Sequence, residues 1–394
     1  MCQKLSAGFL FCFCLIQSVL AQNVQALDYP IVDTGVKKFY SASHEIAPLH
    51  AGDAFFGQDA SYAHRPASYT LNGDGTTTDN VTGLMWQYDM GAKMTLEQAQ
   101  DKARALRLGG HNDWRVPTVK ELYSLIDFNG RVLGPNALNP FIDTRYFHQP
   151  LGDASSGERQ IDAQTWSSTV YRGKTMGKGE TIFGVNFVDG RIKGYPKISP
   201  RTRAPNAMYF RMVRGNPAYG VNRFVDNHDG TVSDLATGLM WQQTDSLQGL
   251  DWQAALRYSQ DLRLADYDDW RLPSVKELQS IVDYSRSPQA TGSAAIDPVF
   301  AISRITDPRG MSDYPFYWSA TTHLDGPHPG QHAAYVIFGT GLGKMHGRLM
   351  DVHGAGAQRS DPKSANGGSY PSYFGPQGDV RYVYNHVRSV RSIQ

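Results

Sequence analysis

Beyond Cys14 the sequence has no cysteine; Cys2, Cys12 and Cys14 are its only three. They fall inside an opening stretch that reads as an export leader. Lys4 supplies the positive end, Leu5 to Leu20 is largely apolar, and Val19-Leu20-Ala21 offers small residues for cleavage, with Ala26 a second candidate. Phe11 and Phe13 precede Cys12 and Cys14, which is not the small-residue context of a lipidated cysteine. A mature chain starting after residue 21 therefore has no disulfide, no cysteine nucleophile and no thiolate metal site, although an exported protein meets an oxidising compartment. Its stability has to come from packing. The run 5–20 is short for a bilayer span and no stop-transfer charges follow, so no transmembrane segment is expected after cleavage. The expected location is the periplasm, the outer surface or the medium.

The chain also lacks an excess of charge. One basic residue, Lys4, belongs to the leader, and the rest of the chain balances its 37 acidic residues with as many basic ones. Hydrophobic residues at 41 % suffice for two or three cores, and 39 Gly with 21 Pro favour short strands and turns over a helical bundle.

What is present is a repeat. "NGDGTTTDNVTGLMWQ" (Asn72 to Gln87) returns as "NHDGTVSDLATGLMWQ" (Asn227 to Gln242), and "DWRVPTVKEL" (Asp113 to Leu122) as "DWRLPSVKEL" (Asp269 to Leu278). "TWSSTV" around Trp166 matches "YWSATT" around Trp318; "VNFVDGRIK" (Val185 to Lys193) matches "VIFGTGLGK" (Val336 to Lys344); "FRMVR" (Phe210 to Arg214) matches "VRSVR" (Val387 to Arg391). The acidic opening of each copy suggests a calcium loop, but the twelfth ligand position falls on Val81 or Ala236, which cannot supply the bidentate carboxylate. A turn with Gly75 or Gly230 at positive φ, followed by a hairpin pointing Trp86 or Trp241 inward, is the better reading. Thr95 and Asp251 cap one helix in each copy. A second helix starts with a reciprocal cap, Thr118 with Glu121 or Ser274 with Glu277, just after Pro117 or Pro273. Val119, Leu122 and Ile126, like Val275, Leu278 and Ile281, face the core. Strand-like sequence follows, so each unit reads as hairpin, two helices, then antiparallel strands: an α+β pattern. The expected organisation is a leader at 1–21, an extension at 22–66 packing on the first unit, a first unit at 67–215, a linker at 216–223, and a second unit at 224–394. Residues 354–378, rich in Gly, Ser and Pro, read as a long surface loop of that second unit.

The recurring blocks resemble the C-terminal domain of the Legionella collagen-like adhesin, across both units. The resemblance implies two tandem C-type-lectin-like domains. The family's best-known member binds sulfated polysaccharides and glycosaminoglycans through basic surface, so the resemblance implies a non-enzymatic, exported adhesion or binding module. Collagen-like repeats are absent here. So are the Glu-Pro-Asn, Gln-Pro-Asp and Trp-Asn-Asp signatures of calcium-dependent lectins and the cysteines that oxidative formylglycine chemistry needs.

Three groups of residues are candidates for chemistry. Trp114-Arg115 with Glu121, and Trp270-Arg271 with Glu277, suit a core tryptophan, an internal ion pair and a helix cap, because both copies need the same scaffold. His323, His328, His332, His346 and His353 have spacings that match no zinc motif and read as a polar loop, with no metal or cofactor expected. The basic run Arg172 to Arg214 is the functional lead. Arg191, Lys193, Lys197, Arg201 and Arg203 form the candidate ligand-binding set, with Tyr171, Phe183, Phe187, Tyr195, Tyr209 and Phe210 interleaved. Cations among aromatic rings suit an anionic polysaccharide or glycosaminoglycan. The alternative is a solvated face whose acids come from elsewhere in the fold. Nucleic acid is not expected for an exported protein, and no catalytic constellation stands out. A second function class stays open: an envelope structural or assembly protein making only protein contacts, including self-association.

Overall fold

A computed structural model describes residues 27–62, 65–132, 138–177, 179–199, 202–326 and 328–393. The expected leader, its three cysteines and Arg201 lie outside them. The described chain is α+β, with few helices and many antiparallel strands. No helix among the described residues is long and apolar enough to cross a membrane.

Each half begins as its sequence suggests. The strands Thr76–Asp79 and Thr231–Asp234 follow turns in which Gly75 and Gly230 adopt φ of 87° and 86°. The Asp74 carboxylate is used inside its turn, accepting from the backbone N–H and the hydroxyl of Thr76; Asp229 does the same with Thr231. The strands Met85–Gln87 and Leu239–Gln242 pair next, and the terminal strand of each half returns to them. Val213 lies opposite Trp86, and Val390 opposite Trp241. Each half is thus closed by its own last strand.

The helices match in pairs. Leu96–Ala105 is capped by Thr95 and Trp252–Asp261 by Asp251. Val119–Ser124 and Val275–Ser280 both carry the reciprocal cap, with Glu121 and Glu277 reaching back to the backbone N–H of Thr118 and Ser274. Both helices bury one apolar face on the sheet, through Val119 and Leu122 or Val275 and Leu278. All seven tryptophans are buried. This is how a chain without cysteines beyond its first residues gains stability, each such side chain contributing roughly 2–3 kcal/mol on burial.

The two halves are joined far more closely than a short linker requires. Strands Thr165–Val170, Thr181–Asn186 and Arg191–Pro196 of the first half continue into Gln358–Pro362, His332–Ile337 and Phe316–His323 of the second, as one six-stranded sheet. Arg191–Pro196 and Gln358–Pro362 run antiparallel at the seam, so the strand order mirrors itself across it. One hydrophobic core runs through both halves, from Trp86 and Val119 to Trp241 and Leu278.

Three expectations are corrected. The stretch after Gly354 is not a surface loop throughout. Gly354, Ala355, Gly356 and Ala357 are buried at the seam and lead into the central strand Gln358–Pro362. Their lack of bulk, which reads locally as a loop, is what lets two sheets merge. Gly194 shows the same constraint: a Cβ there would lie 2.7 Å from the His353 carbonyl oxygen, to which Gly194 donates its N–H. Second, the extension does not pack on the first half alone. Phe55 lies against Trp252, Tyr62 bonds Gln260, and Asp59 accepts from Thr321 of the second half. A segment without periodicity does not announce its partner. Third, the histidines are only partly in loops: His328 and His346 are exposed in turns, but His323 and His332 lie on paired strands, and His353 is buried at the seam.

Candidate functional site

The strand Arg191–Pro196 carries the first two members of the expected binding set, and its register decides what they do. Ile192 pairs with Gln358 of the second half, which places Arg191 and Lys193 on the same side as Arg359. Three carboxylates meet these three cations. Arg191 pairs with Asp325 and lies 3.5 Å from Asp189, Lys193 lies 3.3 Å from Asp189, and Arg359 pairs with Asp379. His353 reaches Asp379 at 2.9 Å, and His323 Nε2 lies 3.0 Å from the Asp189 carbonyl. Burial alone would raise the Asp325 and Asp379 carboxyls, yet the adjacent guanidiniums Arg191 and Arg359 hold both well below the usual carboxylate range. Burial pushes Lys193 down to about 8. The cluster is a charge-balanced joint between the halves, not an open cationic surface.

The remaining members are scattered. Lys197 pairs with Glu97 at 2.6 Å and Glu180 at 3.3 Å. Arg203 is exposed in a loop with φ of 62°, and Arg201 lies outside the described residues. Of the interleaved aromatics, Tyr171, Phe183, Phe187 and Phe210 are core residues. Most acids that answer this basic run come from distant sequence, such as Asp325, Glu97 and Asp113. Burial shows the pattern's other cause: Arg211 is wholly inside, donating to the carbonyls of Gln87, Tyr88 and His148. Arg388 repeats this in the second half with Gln242, Gln243, Thr244 and Ala301.

The recurring Trp-Arg-Glu groups are internal as well. The Trp114 and Trp270 indoles donate to the carbonyls of Leu108 and Leu264. Arg115 and Arg271 form two-pronged pairs with Glu121 and Glu277. The recurring turns, caps, Trp-Arg-Glu groups and buried arginines are spent on structure.

In the second half, the sequence counterpart of Arg191–Pro196 is Leu342–Met345, and it leaves the main sheet. It joins Arg348–Asp351, Asp379–Arg381 and Ser372–Phe374 in a separate four-stranded sheet with no counterpart among the described residues of the first half. On its edge strand, Tyr373 and Phe374 are 41 % and 56 % exposed. The Arg381 guanidinium stands 3.5 Å from the centre of the Phe374 ring, and the Lys344 ammonium 5.0 Å from that of Tyr373. Arg348 is exposed on the opposite edge strand of the same sheet. Among the described residues, no carboxylate lies within ion-pair distance of Lys344, Arg348 or Arg381. Sequence reasoning passed over this group. Its signal was the "SYF" and "DVRYVY" segments that the first copy lacks.

A family model described as the Lcl C-terminal domain matches residues 75–214 and 230–353, together more than half of the chain. The chain belongs to the Lcl C-terminal domain family, with two tandem copies. No curated protein and no solved structure matches the chain significantly. The second Lcl C-terminal match ends at residue 353, so the strands Ser372–Phe374 and Asp379–Arg381 lie past it.

Proposed function

We propose that this chain is an exported, non-catalytic binding module for anionic polysaccharide, with two C-type-lectin-like halves fused into one body. Its recognition surface is the extra sheet of the second half, rather than the run 191–203. The observation that supports this reading is the pairing of exposed rings with cations on the two faces of this sheet: Phe374 with Arg381 on one, and Tyr373 with Lys344 on the other. An aromatic face takes the apolar side of a sugar ring, while an adjacent guanidinium or ammonium takes its sulfate or carboxylate. The charge-balanced seam offers a free anion as much repulsion as attraction. The order of hairpin, two helices, sheet and returning terminal strand in each half supports the C-type-lectin-like description.

The test is heparin-column elution of the whole mature chain, because the halves share a core. Replacing Lys344, Arg348 and Arg381 together by Ser is expected to abolish retention at about 0.1 M salt, where the Debye length is still ~10 Å. Replacing Arg172, Lys174 and Arg203 together by Ser is expected to leave retention nearly unchanged. No retention of the parent chain, or equal losses in the two variants, would reject the proposal. Salt-insensitive self-association without retention would instead favour an envelope assembly role.

A further inference from the structure

Three stretches of chain that lie far apart in sequence enclose a cavity of about 440 Å³. The extension contributes Lys38, Tyr40 and Glu45, the first half Phe128 and Arg131, and the second half Leu324 and Pro329. The walls are anchored to one another. The Asn129 amide donates to the Gly35 carbonyl at 2.6 Å, and Phe128 donates its backbone N–H to the Thr34 carbonyl. The backbone N–H of Tyr40 bonds the side-chain oxygen of Gln58 at 2.9 Å. Gly330 approaches Tyr40 so closely that a Cβ there would lie 2.6 Å from the ring.

The charges of this cavity do not cancel. Lys38 is answered by Glu45 at 2.9 Å. Arg131 is not answered. Every aspartate and glutamate of the chain is among the described residues, and none lies within ion-pair distance of it. Burial and Glu45 push the Tyr40 hydroxyl up while Lys38 and Arg131 oppose them, so the three charged groups converge on one spot. With His44 and His328 neutral, the lining carries one net positive charge. Nor does the arginine serve the repeated scaffold. The second half answers Asp127-Phe128 with Asp283-Tyr284, and at the spacing of Arg131 it has Ser287.

The ligand class follows from this lining. A guanidinium free of other partners takes a carboxylate in a two-pronged contact. One net positive charge is matched by a monoanion, whereas a dianionic phosphate would leave negative charge facing Glu45. Val36, Leu324 and Pro329 give the cavity an apolar side for the body of the ligand. We propose that this cavity binds a small organic monocarboxylate, its carboxylate on Arg131 and its apolar body against Leu324 and Pro329. The volume lies within the range of ordinary small-ligand sites. The site is independent of the surface proposed above for polysaccharide.

Saturation-transfer NMR on the whole mature chain tests it, with benzoate and cyclohexanecarboxylate as probes and benzamide as the uncharged match for benzoate. Transfer is expected to both carboxylates and only weakly to benzamide. Arg131→Gln is expected to weaken benzoate binding about tenfold, the weight of one hydrogen bond to a charged group. Its urea midpoint should stay that of the parent chain, because Arg131 is exposed and unpaired. Glu45→Gln removes the opposing charge and is expected to tighten benzoate binding. Replacing Lys344, Arg348 and Arg381 by Ser, which tests the polysaccharide surface, should leave it unchanged. No transfer to either carboxylate, equal transfer to benzamide, or undiminished transfer in Arg131→Gln would overturn the proposal. Displacement of benzoate by an equal concentration of inorganic phosphate would overturn the choice of a monoanion.

Discussion

The ammonium of Lys120 lies 2.6 Å from the carbonyl oxygen of Ser280, at the end of the matching helix in the other half. The relation is reciprocal: Lys276, its sequence counterpart, reaches the carbonyl of Ser124 at 2.9 Å. Each lysine bonds further oxygens, Lys120 those of Gly220 and Asn222, and Lys276 that of Asp33. Burial pushes both down to about 8, which leaves them charged at neutral pH, and a cation near a helix C-terminus is favoured by the aligned peptide dipoles. Two equivalent lysines thus bolt two equivalent helices together.

Lys276→Met tests this bolt. It strips the donor from two buried carbonyls, and an unsatisfied buried acceptor costs about 1–3 kcal/mol. Urea unfolding is expected to show an unfolding free energy lowered by about that amount, in one transition for both halves, since they share a core. Two separate transitions in the parent chain would contradict the shared core.

Arg388→Lys is expected to be more damaging than its chemistry suggests. The planar guanidinium serves four carbonyls at once and lies 4.9 Å from the centre of the Phe300 ring. A lysine, with three donors in a different geometry, leaves at least one of these oxygens unpaired, at a cost of about 2 kcal/mol. Arg211→Lys in the first half should cost less in chemical denaturation, because its guanidinium serves three carbonyls rather than four.

Gly194→Ala probes the seam with a single methyl group. The new Cβ meets a backbone carbonyl, which has no rotamer in which to retreat. Overpacking of this kind costs about 1–3 kcal/mol, and the strand Arg191–Pro196 must draw away from His353, which leads into Gln358–Pro362, to relieve it. Faster amide hydrogen exchange in Gln358–Pro362 than in the parent chain is the expected signature.

Acid should weaken the fold through the buried histidines. Burial pushes His323 to about 3, with Arg191 adding to the effect, and His332 and His353 each to about 4. These folded values lie below the unfolded value of about 6.5, so the contribution is full above that pH and is lost as pH falls towards 4. By pH 5 the loss has reached about 2 kcal/mol for each histidine. Asp351 and Asp361, raised by burial to about 6, work in the opposite sense below pH 6 and offset part of the loss. Ring NMR signals of the three histidines are expected to hold their neutral positions down to pH 5 while the urea midpoint falls.

Much of each half was legible in the sequence because its causes are local. Asp74 and Gly75 make their turn within four residues, Thr118 and Glu121 complete their cap within one helical turn, and Trp86 faces inward by simple alternation. The duplication doubled each of these signals. The candidate site was far less legible. Arg191 and Lys193 look like a cationic patch until Asp325, more than a hundred residues away, is brought to them. Tyr373, Phe374 and Arg381 gave no period, no motif and no repeat to notice.

The amino-acid sequence alone determined that the chain is a doubled α+β unit, since hairpins, caps and apolar faces follow from interactions spanning a few residues. Only the tertiary structure decided which charges neutralise one another and which remain available. Pairing of Ile192 with Gln358 depends on how two sheets meet, and that is settled by packing of the shared core. Electrostatic pairing acts through space over a few ångströms, whereas a sequence records only distance along the chain.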